Sequence, residues 1–225
     1  MCTIVDMQLF LWHHTWGIIT DPMIINQCRR VLRARPWFEF WIQDPVICWS
    51  NVRISRSQCR LENRWWESMN CSILQTIHHD YIPREWWVLI WLPNKTDKIE
   101  LIVQKLTELW VERIYFTPMI RSVLKNFSRP QRISTIARES VEQSRRWTIP
   151  DIQCISNAQH IISSWTMLDT DQNTPDWLQK RLIVWPEWWF DDREKAQCSH
   201  FYHASTPILR TETAAIVAWR LRWNA

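Results

Sequence analysis

Leu182-Ile183-Val184-Trp185-Pro186-Glu187-Trp188-Trp189-Phe190, followed by Ile208-Leu209-Arg210-Thr211-Glu212-Thr213-Ala214-Ala215, decides the reading of this 225-residue chain. In the first stretch an apolar run of strand type stops at a Pro-Glu turn, and an acidic helix start follows. The second runs from an apolar pair through Arg-Thr-Glu-Thr into an Ala-rich helix. Two strand ends that turn directly into helices are where α/β proteins build ligand sites. The first turn is odd, because it carries tryptophans where a tight loop asks for glycine.

Outward from that pair, the same alternation of strand and helix extends upstream. Val88-Leu89-Ile90 reads as a buried strand. Asp97, with Glu100 three residues on, is an N-cap pattern, and Ile99, Ile102, Val103, Leu106 and Leu109 follow at amphipathic-helix spacing. Trp110 stands just past the end, where a left-handed glycine usually terminates a helix. Ile114-Tyr115-Phe116 is the next strand, and strand-helix-strand implies a parallel sheet. Pro130 opens a second helix through Ile133, Ile136, Ala137 and Val141, stopped by Thr148-Ile149-Pro150. Residues 151–180 read as a mixed α/β connection. A helix capped by Asp191 with Glu194, a strand over 199–204 and a final helix from Thr211 complete this half.

The first third of the chain has a different texture. Pro22 to Leu32 has near-helical apolar spacing, broken by Arg35-Pro36-Trp37. Phe38 to Ile42, Val52 to Ser55 and Cys71 to Leu74 read as short strands, which suggests a small β-barrel. His78 to Trp87 is polar and contains Pro83, so a linker is expected there, with domains over 1–78 and 86–225.

Hydrophobic residues make up 46% of the chain and charged residues 22%, enough apolar content for a sizeable core. The net charge of +4 is mildly basic and compatible with an RNA partner. Seven scattered cysteines without a Cys-x-x-Cys pair argue for reduced thiols in a cytoplasm rather than a disulfide framework or zinc ribbon. Nothing at the N-terminus resembles a signal peptide, and no apolar run approaches the ~20 residues of a membrane span. Cys198, His200 and His203 are a poor metal set, since the two histidines would face opposite sides of a strand. No metal and no membrane are expected.

Three segments, in order and spacing, resemble the RsmE-type 16S ribosomal RNA uridine N3-methyltransferases of the SPOUT superfamily. Asp97-Lys98-Ile99-Glu100-Leu101-Ile102-Val103-Gln104-Lys105-Leu106-Thr107-Glu108-Leu109-Trp110 is similar to that family's D-K-x-E-L-I-x-Q-K-x-T-E-L-G. Arg121-Ser122-Val123, then Glu142-Gln143-Ser144 with Arg146 and Pro150, resemble its R-S-V and E-Q-S-x-R…P. Val184 to Phe190 with Ile208 to Ala215 resembles G-P-E-G-G-[FW] followed by I-L-R-T-E-T-A. A thinner likeness, Arg30-Val31-Leu32-Arg33-Ala34-Arg35-Pro36-Trp37 to V-L-R-x-R-x-G, covers the N-terminal part.

The resemblance implies an α/β fold: a C-terminal SPOUT trefoil-knot parallel sheet with helices on both faces, plus a small N-terminal PUA-like β-barrel that binds RNA. It implies S-adenosylmethionine (S-adenosyl-L-methionine) as methyl donor, 16S rRNA of the small ribosomal subunit as substrate, and a homodimer. Val184, Trp185, Pro186, Glu187, Trp188, Ile208, Leu209, Thr211, Thr213 and Ala214 are then expected around the donor, and Arg210 and Glu212 as catalytic residues. The competing reading of Glu212 and Thr213 is a helix cap. Arg29, Arg30, Arg33, Arg35, Arg121 and Arg146 are the expected RNA contacts. For the first four the alternative is a solvated basic face; for Arg121 and Arg146 it is pairing with carboxylates.

One glycine and 19 tryptophans are far from ordinary usage. At Trp110, Trp185, Trp188 and Trp189, and at Trp37, tryptophan stands where the resembled family has glycine. A single cause would do this everywhere: a genome that reads UGA as glycine, translated as though UGA meant tryptophan. The hypothesis is that most of these tryptophans are glycines in the native protein, and UGG codons at 185, 188 and 189 would sink it. The alternative is a true Trp-rich chain, a catalytically inactive RNA-binding homologue whose donor loop is filled by indoles.

Overall fold

The computed structural model describes residues 7–12, 17–47, 50–64, 67–84, 86–118, 124–156, 158–162, 165–169, 181–184, 200–203 and 209–222. The chain forms two compact units. One is Met1–Pro83 together with Val141–Ile149, and the other is Arg84–Ser140 with Pro150–Ala225.

In the first unit β1 (Leu9–Leu11), β2 (Ile18–Ile19), β3 (Glu39–Gln43), β4 (Val52–Arg64) and β5 (Met69–Tyr81) make one sheet in the order β1-β3-β4-β5-β2. β1 is parallel to β3 and the other pairs are antiparallel. Phe10, Ile19, Phe40, Leu61 and Met69, one from each strand, share a single buried core with Ile24 and Ile25 of α1 (Pro22–Asn26), so the sheet curls around that helix. Asp21 caps α1 by accepting the Met23 N–H at 2.7 Å, and Pro22 occupies the first turn, where its missing N–H costs nothing. A π-helical turn, Gln27–Val31, carries the segment on, so the helix expected over 22–32 is present.

The short strands expected at 52–55 and 71–74 are parts of two 13-residue strands. The reason is a register shift between Gln58 and Cys59. Before it, the even-numbered Ile54 and Arg56 are buried; after it, the odd-numbered Cys59 and Leu61 are. No single period-two pattern therefore runs the length of β4, and the alternation rule sees only fragments. β5 also extends to Tyr81, which places His78, His79 and Asp80 in the sheet rather than in a linker.

Val141–Ile149 is fastened to this sheet by polar groups. Glu142 accepts the backbone N–H of Leu11 at 2.9 Å, and the Gln43 amide donates to the Trp147 carbonyl at 2.7 Å. Arg56 donates to Gln43 Oε1 at 2.6 and 3.0 Å and to the carbonyls of Arg145 and Arg146 at 3.1 and 3.3 Å. Its guanidinium lies 3.9 Å from the Trp147 ring centre. Burial, with Arg145 nearby, pushes the Arg56 pKa down to about 10.

The second unit holds a six-stranded sheet in the order β11-β9-β10-β6-β7-β8, from β6 (Trp87–Trp91), β7 (Arg113–Thr117), β8 (Asp151–Cys154), β9 (Thr166–Asp169), β10 (Arg181–Val184) and β11 (His200–His203). All five pairings are parallel, as strand-helix-strand predicts. Val88 to Leu92 and Leu182 to Val184 are buried apolar runs, as strands covered on both faces must be. The helices are α2 (Thr96–Glu108), α3 (Pro130–Ser144), α4 (Gln159–Ile162) and α5 (Thr211–Arg222), with α2 and α5 packed together. The helix expected at Asp191 and the chain crossing of a trefoil knot fall outside the described residues.

α2 corrects one expectation and sustains another. It starts at Thr96, with Lys95 as N-cap and no side-chain cap bond, so Asp97 lies in the first turn, where its charge complements the helix dipole instead of capping. At the other end, Val111 N–H bonds the Leu106 carbonyl at 3.0 Å and Trp110 N–H the Thr107 carbonyl at 3.1 Å. That is a Schellman ending, and Trp110 sits in its left-handed position at φ +65°. Trp37 repeats the anomaly. Phe38 N–H bonds the Arg35 carbonyl at 3.0 Å around Pro36 and Trp37, and Trp37 has φ +75°, as the third residue of a type II turn must. Gly17 shows what such a position ordinarily holds: its φ is +80°, and a Cβ there would overlap the Cys71 carbonyl oxygen.

Candidate functional site

The ligand site of a parallel α/β sheet is expected beyond the carboxyl ends of its strands. β10 delivers Val184 to that end, fully buried. Trp185, Pro186, Glu187 and Trp188, the expected donor loop, lie outside the described residues, as does Ile208. The other arm of the expected site is the head of α5.

Leu209 is half-buried and Arg210 exposed; Thr211, Glu212 and Ala214 are buried, and Thr213 is exposed. The first ladder bond runs from Ala214 N–H to the Arg210 carbonyl at 2.8 Å. Glu212 and Thr213 thus lie inside the first turn, and neither is the residue that caps the helix. A carboxylate in that turn complements the positive end of the helix dipole. Glu212 is 9% exposed, and among the described residues its Oε2 meets no hydrogen-bond donor. Its ion-pair partner is Lys98 in the first turn of α2, at 3.6 Å. Sequence reading passed over Lys98; its signal was its place in the quoted Asp97-Lys98-Ile99-Glu100 segment. Glu100 of the same segment meets Arg132 at 3.5 Å.

The head of α5 therefore offers a buried carboxylate, first-turn N–H groups without intrahelical acceptors, and the apolar walls of Val184 and Ala214. A sulfonium donor with a free amino-acid carboxylate and an aromatic base needs these same three chemistries. On what the described residues show, the site fits such a group.

The expected RNA contacts divide. Arg30, Arg33 and Arg35 are exposed and Arg29 is half-buried, all in the turn of chain that leaves α1 and enters β3. Trp37, 74% exposed, stands at the end of the same run. Arg146 is a correction. It is fully buried in the first unit, with its Nε 3.4 Å from Thr148 Oγ1, so it has no surface from which to meet RNA. Glu142, four residues before it, fastens the segment to Leu11. Arg121 lies outside the described residues.

His78 lies 2.9 Å from the Ser55 hydroxyl across the β4–β5 pair. Asp80 is spent on Arg53 at 2.8 Å, whose guanidinium holds the carboxyl below its usual range. These are exposed cross-strand pairs on a ribbon, with no arrangement for nucleophilic catalysis. Among the described residues no three His, Cys, Asp or Glu side chains gather as metal ligands, and no helix is long and apolar enough to cross a membrane.

Residues 82–222 match the family model of the RNA methyltransferase domain. Ribosomal RNA small subunit methyltransferase E of Bacillus subtilis (strain 168) is 28% identical over 125 residues, covering 53% of this chain and 48% of that protein. The matched stretch thus spans about half the length of that relative. Ribosomal RNA small subunit methyltransferase E from Neisseria gonorrhoeae, solved bound to S-adenosyl methionine, has a TM-score of 0.77 at 20% identity, over 97% of each chain. A probable rRNA-methyltransferase from Porphyromonas gingivalis has a TM-score of 0.78 at 17% identity, over 97% of this chain and 98% of that one. The fold is the one these structures share: a curled N-terminal sheet and a parallel-sheet α/β unit.

Proposed function

Because this chain belongs to the RNA methyltransferase domain family, we propose that it methylates N3 of a uridine in 16S ribosomal RNA. The donor is S-adenosylmethionine, and the enzyme works as a cytoplasmic homodimer. The observation that carries the proposal is the buried Glu212 carboxylate at the head of α5, directly after Leu209-Arg210.

Uracil N3 bears a proton, so its lone pair attacks only as that proton leaves. Bound at the strand ends, the donor supplies a methyl group on a sulfonium. Glu212 would take the N3 proton as the nitrogen is methylated. Arg210, exposed two residues before Glu212, would hydrogen-bond a uracil carbonyl, where negative charge develops as N3 loses its proton. Val184, Leu209 and Ala214 supply apolar surface, and the N–H groups of Thr211 and Thr213 a polar edge, for the donor. Arg29, Arg30, Arg33 and Arg35 hold the RNA by its phosphates, which makes binding salt-dependent.

The test is methyl transfer from labelled S-adenosylmethionine to small ribosomal subunits that lack the modification, with the modified nucleotide mapped. It is run with the chain as written and with glycine at 37, 110, 185, 188 and 189. Label at N3 of one 16S uridine supports the proposal, and unlabelled 16S RNA with both proteins overturns it. Donor binding by the glycine form alone would trace the difference to the tryptophans.

A further inference from the structure

Lys98 and Glu212 lie far apart in sequence, and the packing of α2 against α5 brings them together. Both side chains are largely out of solvent, at 19% and 12% exposure, in a setting where a charge is costly unless another compensates it. Glu212 is compensated incompletely. Its Oε2 lies 3.6 Å from the Lys98 ammonium and accepts no hydrogen bond among the described residues. A carboxylate whose only purpose was packing would accept one or more donors, as Glu142 does from Leu11.

The surroundings leave Lys98 as the cation for that carboxylate. α2 also carries Asp97, Glu100, Lys105 and Glu108. Glu100 is engaged by Arg132, and Lys105 and Glu108 pair with each other at 2.9 Å, at the far end of the helix. β10, the other element packed on α5, brings the apolar Leu182, Ile183 and Val184 to its carboxyl end, and its one charge, Arg181, sits at its start over the Trp87 ring. On the chain of α5 itself, Arg210 is exposed.

We propose that Lys98 is the positioning residue for Glu212. Its ammonium, 3.6 Å from Oε2, fixes the carboxylate at the head of α5. Lys98 touches neither base nor donor. The role in methyl transfer rests on the function proposed above; the coupling of the two side chains does not.

Four full-length proteins test this: Lys98→Met, Lys98→Arg, Glu212→Gln and the Lys98→Met/Glu212→Gln double variant. The first readout needs no activity. The carboxyl carbons of labelled glutamate are followed by NMR at one pH, with Glu212 assigned by its loss in Glu212→Gln. Lys98→Met is expected to shift the Glu212 carboxyl resonance, and Lys98→Arg to leave it near that of the parent. An unmoved resonance in Lys98→Met overturns the proposal, whether or not the protein is active.

The second readout is methyl transfer. Lys98→Met is expected to lower kcat about tenfold with KM for the RNA nearly unchanged. Lys98→Arg restores most of the rate. In the Glu212→Gln background Lys98→Met costs nothing more, because the residue it positions is gone. Equal losses in both backgrounds, or full activity of Lys98→Met, overturn the positioning role. A parent protein that transfers no methyl group refutes the proposed function instead, and the NMR comparison still decides the coupling.

Discussion

Glu142 and Glu212 are both buried glutamates in segments that carry the family resemblance, and they are used in opposite ways. Glu142 belongs to the Val141–Ile149 segment, where every described polar contact closes on the first unit's own backbone or side chains. Glu212 belongs to the head of α5, where one carboxylate oxygen is out of solvent and no donor among the described residues reaches it. A buried carboxylate that accepts a donor stabilises a fold, and one that accepts none costs stability. Sequence similarity marks both segments alike. The hydrogen bonds separate them.

The comparison breaks most readily at the two glutamates themselves. Glu212→Gln is expected to lower kcat by about 10²- to 10⁴-fold, the range for loss of a general base. Glu142→Gln should do the reverse, costing about 1.5–3 kcal/mol of stability for a hydrogen bond to a charged group while the remaining folded protein stays active. Methyl-transfer kinetics beside urea unfolding reads both, and exchanged phenotypes would invert the assignment.

Arg56 sharpens the structural side. Arg56→Met strands Gln43 Oε1 and the carbonyls of Arg145 and Arg146 in a buried place, at an expected cost of about 3 kcal/mol. A loss near zero in urea unfolding would mean that the Val141–Ile149 segment is held by its apolar contacts.

The left-handed tryptophans give a smaller effect of opposite sign. Trp110→Gly and Trp37→Gly should each stabilise the protein by about 1 kcal/mol, since a non-glycine residue pays roughly that to sit at positive φ. Trp165→Ala, at a residue 2% exposed in the core, should cost about 3–5 kcal/mol. Thermal unfolding separates the two kinds of site, and destabilisation by both glycine substitutions would count against native glycine there.

The slightest expected effect is a pH slope. Burial pushes the Cys59 thiol up to about 11 and Cys71 to about 12, from an ordinary value of 9.0. The folded state then keeps protons that the unfolded chain gives up above pH 9, so stability is complete below about pH 9 and falls as pH rises toward 11 or 12. Cys59→Ala should flatten that fall in stability measured from pH 8 to 11. An unaltered slope would place the alkaline loss elsewhere.

Much of this molecule was legible along the chain. The 3.6-residue periodicity of Ile99 to Leu106 and the apolar run at Leu182 foretold α2, β10 and a parallel sheet, because local burial patterns depend on local geometry alone. Trp110 is marked by turn chemistry, since a helix ending imposes a backbone angle on a known position, and Trp37 by the family resemblance alone. The length of β4 was hidden, because its bulge reverses which face is buried. Arg146 was misread, and Lys98 overlooked, for a related reason. Whether a charged side chain meets solvent, RNA or another charge depends on segments remote in sequence, and no periodicity records those. The chain alone determined its elements, the class of its sheet and the places that demand glycine. Tertiary packing alone decided that Glu142, Arg56 and Arg146 serve the fold and that Glu212 meets Lys98, because burial and charge pairing exist only once α2 lies against α5 and Val141–Ile149 against the first sheet.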